Sequence, residues 1–294
     1  MTATLDAIAR PGGGLAMVAM DQRESLRHMF DLAGAGRPDD AVLVQFKRDV
    51  ATALGPLASG FLVDRQFGGL EILADGLLPP RCGFILATDA LTQQAGGPVE
   101  ETALDEGAMD AVRQGVDAVK LLLIWRRDER RDERVALAER FIAEAGRRGV
   151  LSVLEPVVRA TPAELQEGSW DEEGAIREAA RELSPLHPSL YKVQVPLGGA
   201  GDDVQQRRAS ERLAADVTGP WVVLSQGVRQ DRFASAVRAA CRAGASGFLG
   251  GRALWSDVVG TPDVLASLRE RSVPRLESLV EIVDRDARPW GEAR

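Results

Sequence analysis

Eight short apolar stretches alternate with helical patterns along the chain, and this alternation limits the possible folds more than any other feature. Runs of β-branched and aliphatic residues bounded by glycine, proline or polar residues predict buried strands, whereas apolar residues that recur every three or four positions predict amphipathic helices. Strands are predicted at Leu15–Met20, Phe61–Val63, Gly83–Ala87, Ala118–Ile124, Leu151–Leu154, Leu190–Pro196, Trp221–Leu224 and Gly247–Leu249.

At least one predicted helix follows each predicted strand, and a loop is expected from the fifth strand to about Trp170. The charged run Arg126–Arg134 is interpreted as the solvated start of a helix rather than as a binding patch. Helices are predicted at about Glu24–Ala33, Ala41–Leu54, Gly69–Asp75, Leu104–Gln114, Arg126–Arg147, Glu172–Leu183, Val204–Asp216, Asp231–Ala243, Pro262–Arg271 and Pro274–Asp286.

Eight strand-then-helix units in 294 residues predict an α/β protein with a (β/α)8 TIM barrel, and residues 1–294 are predicted to form a single domain. No linker or low-complexity segment divides the chain. An open, doubly wound sheet is the alternative fold. It would require a glycine-rich dinucleotide loop after an early strand, whereas Gly12–Gly14 precedes the first strand.

Composition excludes several classes of function. The formal net charge of −8 argues against general nucleic-acid binding, because no broad basic surface is available to neutralise phosphates. No apolar run has membrane-spanning length, so no membrane partner is expected. Cys82 and Cys241 suggest neither a metal pair nor a disulfide framework. Together with an N-terminus that lacks a signal-peptide pattern, this predicts a cytoplasmic protein.

In a TIM barrel, catalytic groups lie at the carboxyl ends of the strands. On the sixth strand, alternation directs Tyr191, Val193 and Val195 towards the surrounding helices, and Lys192 and Gln194 into the barrel. Polar residues occur at or near the ends of the other strands as well. These are Asp21, Gln22, Arg23, Asp64, Thr88, Asp89, Lys120, Glu155, Ser225 and Arg252.

Two inward lysines and a carboxylate suggest imine chemistry, in which a neutral lysine amine attacks a ketone and the resulting iminium withdraws electrons from a neighbouring carbon–carbon bond. Lys192 is the predicted nucleophile and Glu155 the predicted proton-transfer group. Lys120 is either a second cation that lowers the pKa of Lys192 or a partner in a structural ion pair. Glu155 could instead form a cap or a salt bridge near Pro156.

A metal-dependent route is not expected, and no cofactor is predicted. His28 and His187 are the two histidines, and neither has a partner at ligand spacing. A phosphate site is predicted instead from two glycine-containing turns after the seventh and eighth strands, where this fold commonly binds phosphate. Its residues are Ser225, Gly227, Gly251 and Arg252.

Six segments spread between about Gly13 and Val283 form a pattern that is more specific than any of them alone. They are Ala19–Glu24 (AMDQRE), Lys120–Leu123 (KLLL), Leu154–Arg159 (LEPVVR), Leu190–Val193 (LYKV), Leu224–Val228 (LSQGV) and Gly247–Trp255 (GFLGGRALW).

In these segments the chain resembles the class I tagatose-bisphosphate aldolase family, and LEPVVR and GFLGGRALW are more similar to its sulfofructosephosphate aldolase branch. The resemblance implies that Lys192 forms the imine and that Glu155 transfers protons. The chain differs from the family at Gln194, where glutamate is usual, and at Gln226, where a small residue is usual. The substrate site implied by the resemblance is lined by Asp21, Gln22, Arg23, Lys120, Ser225, Gly227 and Arg252.

The expected reaction is cleavage of 6-deoxy-6-sulfofructose 1-phosphate to dihydroxyacetone phosphate and sulfolactaldehyde, in sulfoquinovose catabolism. The alternatives are a tagatose- or fructose-1,6-bisphosphate aldolase with the same lysine and, in a different class, a non-catalytic sugar-phosphate-binding regulator. The substrate phosphate is assigned to the two glycine-containing turns, and the sulfonate to Gln22 and Arg23. Barrels of this kind are often homo-oligomers, so a homo-oligomer is expected.

Overall fold

The computed structural model describes residues 3–94, 96–112 and 115–293. Its strands are β1 Leu15–Met20, β2 Gly60–Asp64, β3 Gly83–Ala87, β4 Asp89–Gln93, β5 Val99–Leu104, β6 Ala118–Trp125, β7 Leu151–Val158, β8 Leu190–Gln194, β9 Trp221–Leu224 and β10 Gly247–Gly250. Eight of them pair in parallel and close into a barrel in the order β1-β2-β3-β6-β7-β8-β9-β10, and β4 and β5 form a separate antiparallel hairpin. The predicted (β/α)8 barrel is confirmed.

Helices connect the strands around the outside of the barrel, and several begin at an aspartate whose carboxylate accepts a backbone N–H, as Asp39 and Asp202 do. The α-helices are α1 Glu24–Leu32, α2 Asp40–Leu54, α3 Gly69–Ala74, α4 Glu106–Ala111, α5 Arg131–Arg148, α6 Pro162–Glu167, α7 Glu172–Leu183, α8 Asp203–Ala214, α9 Gln230–Ala243, α10 Arg252–Trp255, α11 Val264–Ser267 and α12 Val273–Asp286. Short 3-10 helices occupy Leu5–Ile8, Ser184–Leu186, Pro196–Gly199, Ser256–Val258 and Trp290–Glu292, and a π-helical turn covers Leu268–Ser272.

The apolar core has two layers because side chains alternate along each strand. The layer between barrel and helices contains Tyr191, Val193 and Val195, as predicted. The layer inside the barrel contains Leu15 and Met17 and is extended by Leu5 and Ile8 of the N-terminal 3-10 helix. Apolar side chains thus fill the amino end of the barrel. The inward polar side chains lie towards the carboxyl end of the strands.

The β4–β5 hairpin is the largest departure from the predicted elements. It lies between β3 and β6, where the sequence predicted no strand, and the Oγ1 of Thr102 on β5 accepts the backbone N–H of Ile124 on β6 at 3.3 Å. The helix predicted from Leu104 begins at Glu106 because Asp105 caps it. The last two predicted positions of that helix, 113–114, lie outside the described residues.

The fifth barrel strand is longer than predicted. β7 continues through Glu155 and Pro156 to Val158 because β6 continues beside it, and the two strands stay in register to the pair Trp125 and Val158. Glu155 therefore lies within the strand rather than after it.

The loop predicted up to Trp170 contains helix α6. Its signal was present in the sequence, since Thr161 and Glu164 form a capping box in which each side chain accepts the other's backbone N–H. The helix predicted at Pro262–Arg271 is instead the short α11 followed by the π-helical turn. None of the helices in the described ranges combines the length and apolar character needed to cross a membrane.

Candidate functional site

Lys192 and Glu155 lie side by side at the carboxyl end of the barrel. They project from the adjacent strands β8 and β7, and the Lys192 Nζ is 2.8 Å from Oε1 of Glu155. Their side chains are 3% and 7% exposed, so this ion pair is nearly dehydrated. The other carboxylate oxygen of Glu155, Oε2, is buried and receives no hydrogen bond from the described residues.

Lys120 is surrounded by carboxylates. Its Nζ lies 2.7 Å from Asp21, 3.0 Å from Asp89 and 2.7 Å from Oε2 of Glu155, a contact that is an ion pair without hydrogen-bond geometry. Burial alone would lower the pKa of Lys120, but the three negative charges outweigh it and raise that pKa above its ordinary value. Lys120 is therefore a permanent cation in an ion-pair cluster, and Glu155 links it to Lys192.

Asp21 is the carboxylate after β1, and it stays ionised in this cluster. Burial favours the neutral acid, but the charges of Lys120 and Lys192 outweigh burial and hold the pKa of Asp21 well below its usual range. A hydrogen bond from Lys120 acts in the same direction.

Arg23 is engaged by protein carboxylates. It donates one hydrogen bond to the backbone oxygen of Asp89 and one to Oδ1 of its carboxylate, both at 2.8 Å, and its Nε lies 3.9 Å from Asp64. Neighbouring Gln22 lines the cavity, and its buried Oε1 has no hydrogen-bond partner among the described residues. Of the two residues assigned to the sulfonate, Arg23 is already paired, and the unpartnered atom of Gln22 is an acceptor rather than a donor.

The cluster extends to Lys47, which sequence reasoning missed. Lys47 lies on α2, is fully buried and forms an ion pair with Asp64 at the end of β2. Burial lowers the pKa of Lys47 even though the charge of Asp64 opposes this change. A signal was present, since Lys47 stands beside Phe46 and between Leu43 and Val50 on the buried side of the helix.

The residues assigned to the phosphate meet at the ends of the adjacent strands β9 and β10, and β10 lies beside β1, which Gln22 follows. Ser225 follows β9, and its Oγ accepts the backbone N–H of Gly251 at 3.1 Å, so the hydroxyl proton of Ser225 remains available. Gly227 adopts φ +79°, a conformation that favours glycine. Arg252 begins α10, and no carboxylate among the described residues lies within 4.0 Å of it.

These groups surround a cavity of about 420 Å³. Lys120 lies beneath its lining. His28 and Gly96 both line the cavity, and His187 is exposed. The structure adds Arg159, at the end of β7, which sequence reasoning did not assign to the site although it belongs to the LEPVVR segment. The cavity is lined by Asp21, Gln22, Arg23, Glu155, Arg159, Lys192, Ser225, Gln226, Gly227, Gly251 and Arg252, together with residues of α1 and the hairpin.

Gln194 does not take part in the ion-pair cluster. Its side chain is buried, and its Oε1 accepts the backbone N–H of Val158 at 2.7 Å. The backbones of β7 and β8 pair at Val153 and Leu154 but not beyond, so Gln194 connects the two strands where they diverge.

Comparison with known proteins agrees with this geometry. The model of the DeoC/LacD family aldolases matches residues 15–257. Tagatose 1,6-diphosphate aldolase 2 of Enterococcus faecalis is 26% identical, with 98% of this chain and 95% of that protein covered. Tagatose 1,6-diphosphate aldolase of Staphylococcus aureus is 24% identical, with 99% of this chain and 98% of that protein covered.

Solved structures support the fold. A fructose-bisphosphate aldolase from Plasmodium falciparum superposes with a TM-score of 0.71 at 13% identity, covering 96% of this chain and 93% of that one. An archaeal fructose-1,6-bisphosphate aldolase, whose catalytic lysine is bound to a carbinolamine intermediate, superposes with a TM-score of 0.60 at 18% identity. The superposition covers 95% of this chain and 97% of that one. The chain belongs to the DeoC/LacD family of aldolases.

Proposed function

We propose that the protein cleaves a ketose 1-phosphate through an imine on Lys192. The observation that carries this proposal is the nearly dehydrated contact between Lys192 and Glu155 at the mouth of the barrel. Lys192 passes a proton to Glu155, and its free amine adds to the C2 carbonyl of the substrate. The resulting carbinolamine receives a proton on its hydroxyl, loses water and becomes an iminium.

The cleavage step follows from that iminium. A base removes the proton of the C4 hydroxyl, the C3–C4 bond breaks, and the electron pair moves onto the iminium to give an enamine. The aldehyde fragment leaves. The enamine is then protonated at C3, and water hydrolyses the new iminium to release dihydroxyacetone phosphate and the lysine amine. Glu155 contacts the Lys192 amine through Oε1 and is the group proposed to receive and return these protons.

The ion-pair cluster keeps the charges beneath the cavity fixed during these steps. Lys120 stays protonated because the charge of Asp21 helps to raise its pKa. Asp21 stays ionised because the charge of Lys120 helps to lower its pKa. Proton movement is thereby directed to Lys192, Glu155 and the substrate. Arg23 donates a hydrogen bond to Oδ1 of Asp89, and Lys120 donates one to Oδ2 of the same carboxylate.

The proposed substrate is 6-deoxy-6-sulfofructose 1-phosphate, which yields dihydroxyacetone phosphate and sulfolactaldehyde in sulfoquinovose catabolism. The support is the similarity of LEPVVR and GFLGGRALW to the sulfofructosephosphate aldolases. A second candidate, tagatose 1,6-bisphosphate or its fructose isomer, is favoured by the names of the relatives in Enterococcus and Staphylococcus. The phosphate on C1 is placed against Ser225, Gly227, Gly251 and Arg252, where Ser225 still has a free hydroxyl proton.

Two measurements test the proposal. Dihydroxyacetone phosphate plus borohydride should leave a stable adduct on the peptide that contains Lys192, and Lys192→Met should abolish both the adduct and turnover. An adduct on Lys120 instead, or none at all, would contradict the assignment. A comparison of kcat/KM for the sulfonate substrate and the two bisphosphates then decides the substrate, and a preference for a bisphosphate would exclude the sulfosugar assignment.

The protein is further proposed to act in the cytoplasm as a homo-oligomer. Light scattering on the purified protein would measure its mass in solution, and a monomer at assay concentration would contradict this.

A further inference from the structure

Four cationic side chains line the cavity, and they differ in what they contact. Lys192 is paired with Glu155, and Arg23 is paired with Asp89. Neither Arg159 nor Arg252 has a carboxylate within 4.0 Å among the described residues. An unpaired guanidinium in a largely dehydrated position is costly unless an anion from outside the protein binds there.

The backbone next to Arg159 is held firmly. The Arg159 N–H donates to the backbone oxygen of Trp125 at 2.9 Å, and the preceding N–H, of Val158, donates to Gln194 at 2.7 Å. The guanidinium itself is nearly free of partners. Its Nη1 donates to the backbone oxygen of Val158 at 3.2 Å, and its buried Nε has no hydrogen-bond partner among the described residues.

The charges around Arg159 are consistent with an anion site. Burial, followed by the positive charge of Arg126, lowers the pKa of Arg159. The charges of Glu100 and Glu172 oppose this change, and the charge of Arg252 adds to it. Arg126 differs from Arg159 because it contacts the carboxylate and the backbone oxygen of Glu100. Arg126 thus contacts a carboxylate, whereas no carboxylate among the described residues lies within 4.0 Å of Arg159.

Arg159 and Arg252 lie on opposite sides of the proposed nucleophile. Lys192 is on β8. Arg159 follows β7, on one side of that strand, and Arg252 follows β10, beyond β9 on the other side. A substrate that reaches Lys192 with its C2 carbonyl and has an anion at each end can contact both arginines.

We propose that Arg159 binds the tetrahedral anion at the far end of the substrate, on C6, while Arg252 binds the phosphate on C1. This inference rests on the proposed aldolase reaction and replaces Arg23 with Arg159 as the cation of the far subsite. Sulfonate and phosphate share the array of oxygens that a guanidinium contacts with two parallel hydrogen bonds.

The test compares substrates with and without the far anion. Arg159→Met should lower kcat/KM for 6-deoxy-6-sulfofructose 1-phosphate and for fructose 1,6-bisphosphate by about tenfold to a hundredfold, as expected for a charge-assisted contact. Cleavage of fructose 1-phosphate, which has no anion on C6, should change less than about threefold. Borohydride trapping of dihydroxyacetone phosphate should match wild type. Arg126→Met, which removes the paired neighbour, is the matched control and should leave both substrate classes unaffected.

Each outcome can be assigned. The role of Arg159 would be overturned if the variant traps dihydroxyacetone phosphate normally and kcat/KM falls equally for both substrate classes or for neither. The aldolase proposal would not be affected by that result. A wild type that neither traps nor cleaves would refute the proposed function itself. If Arg159→Met fails to fold, Arg159→Lys keeps a charge but loses the fork of donors, and it should show a smaller loss confined to the substrates with two anions.

Discussion

Asp21→Asn should make the protein less stable at neutral pH but not at acidic pH. Asp21 accepts a hydrogen bond from Lys120 at 2.7 Å, and its side chain is 11% exposed, so water screens the contact only weakly. A hydrogen bond to a charged group contributes about 1.5–3 kcal/mol, and asparagine preserves the shape and a neutral acceptor. Because Lys120 keeps Asp89 and Glu155 as partners, we expect a loss of about 2 kcal/mol at pH 7 rather than the larger cost of an unpaired charge.

The pH dependence follows from the direction of the pKa change. The pKa of Asp21 is held below its usual range, mainly because the charge of Lys120 overcomes the opposing effect of burial. A carboxyl group with a lowered pKa in the folded state contributes stability above its unfolded pKa of about 3.9, and this contribution is lost as the pH falls towards the folded value. The difference between wild type and Asp21→Asn should therefore be full above about pH 5 and shrink below about pH 4.

Urea unfolding followed by circular dichroism at a series of pH values measures this difference. Other carboxylates titrate in both proteins, so the subtraction isolates Asp21. Asp75→Asn is a suitable control, because Asp75 pairs with Arg48 at the surface with 51% of its side chain exposed. Asp75→Asn should lower the free energy of unfolding by less than about 1 kcal/mol. If the difference for Asp21 stays constant from pH 7 to pH 3, the ionised carboxylate is not its source and the charge argument fails.

Three further outcomes are expected. Cleavage should survive exhaustive treatment with EDTA, because the Lys120 ammonium already occupies the position among carboxylates that a metal ion would take; loss of activity that zinc restores would contradict this. Gln22→Glu should lower kcat/KM for the sulfonate substrate by about 100-fold or more, because a negative charge would face the bound anion, and unchanged steady-state kinetics would remove Gln22 from the subsite. Lys47→Met should lower the free energy of unfolding measured with urea by about 3–5 kcal/mol, because it leaves the fully buried Asp64 without its closest cation. A loss below about 1 kcal/mol would show that Arg23 alone compensates Asp64.

Local sequence patterns were sufficient to predict the barrel. Strands and helices have different hydrophobic periods, and eight repeats of one unit leave few ways to bury every apolar face. The same alternation placed Lys192 inside the barrel, since its neighbours Tyr191 and Val193 needed the outer layer. The β4–β5 hairpin escaped prediction because its residues are only partly buried and their pattern is weak.

The contacts between side chains required the tertiary structure. Sequence reasoning left Lys120 between two roles, and its position among three carboxylates depends on the register of four different strands. Arg23 and Arg159 are both arginines near strand ends, and nothing local to either distinguishes a paired guanidinium from an unpaired one. The sequence alone determined which barrel strands carry Lys120 and Lys192 and that both side chains point inward, because periodicity is a local property. Which charges compensate one another, and which remain free for a substrate, was decided by packing, because ion pairing depends on distances between residues far apart in the chain.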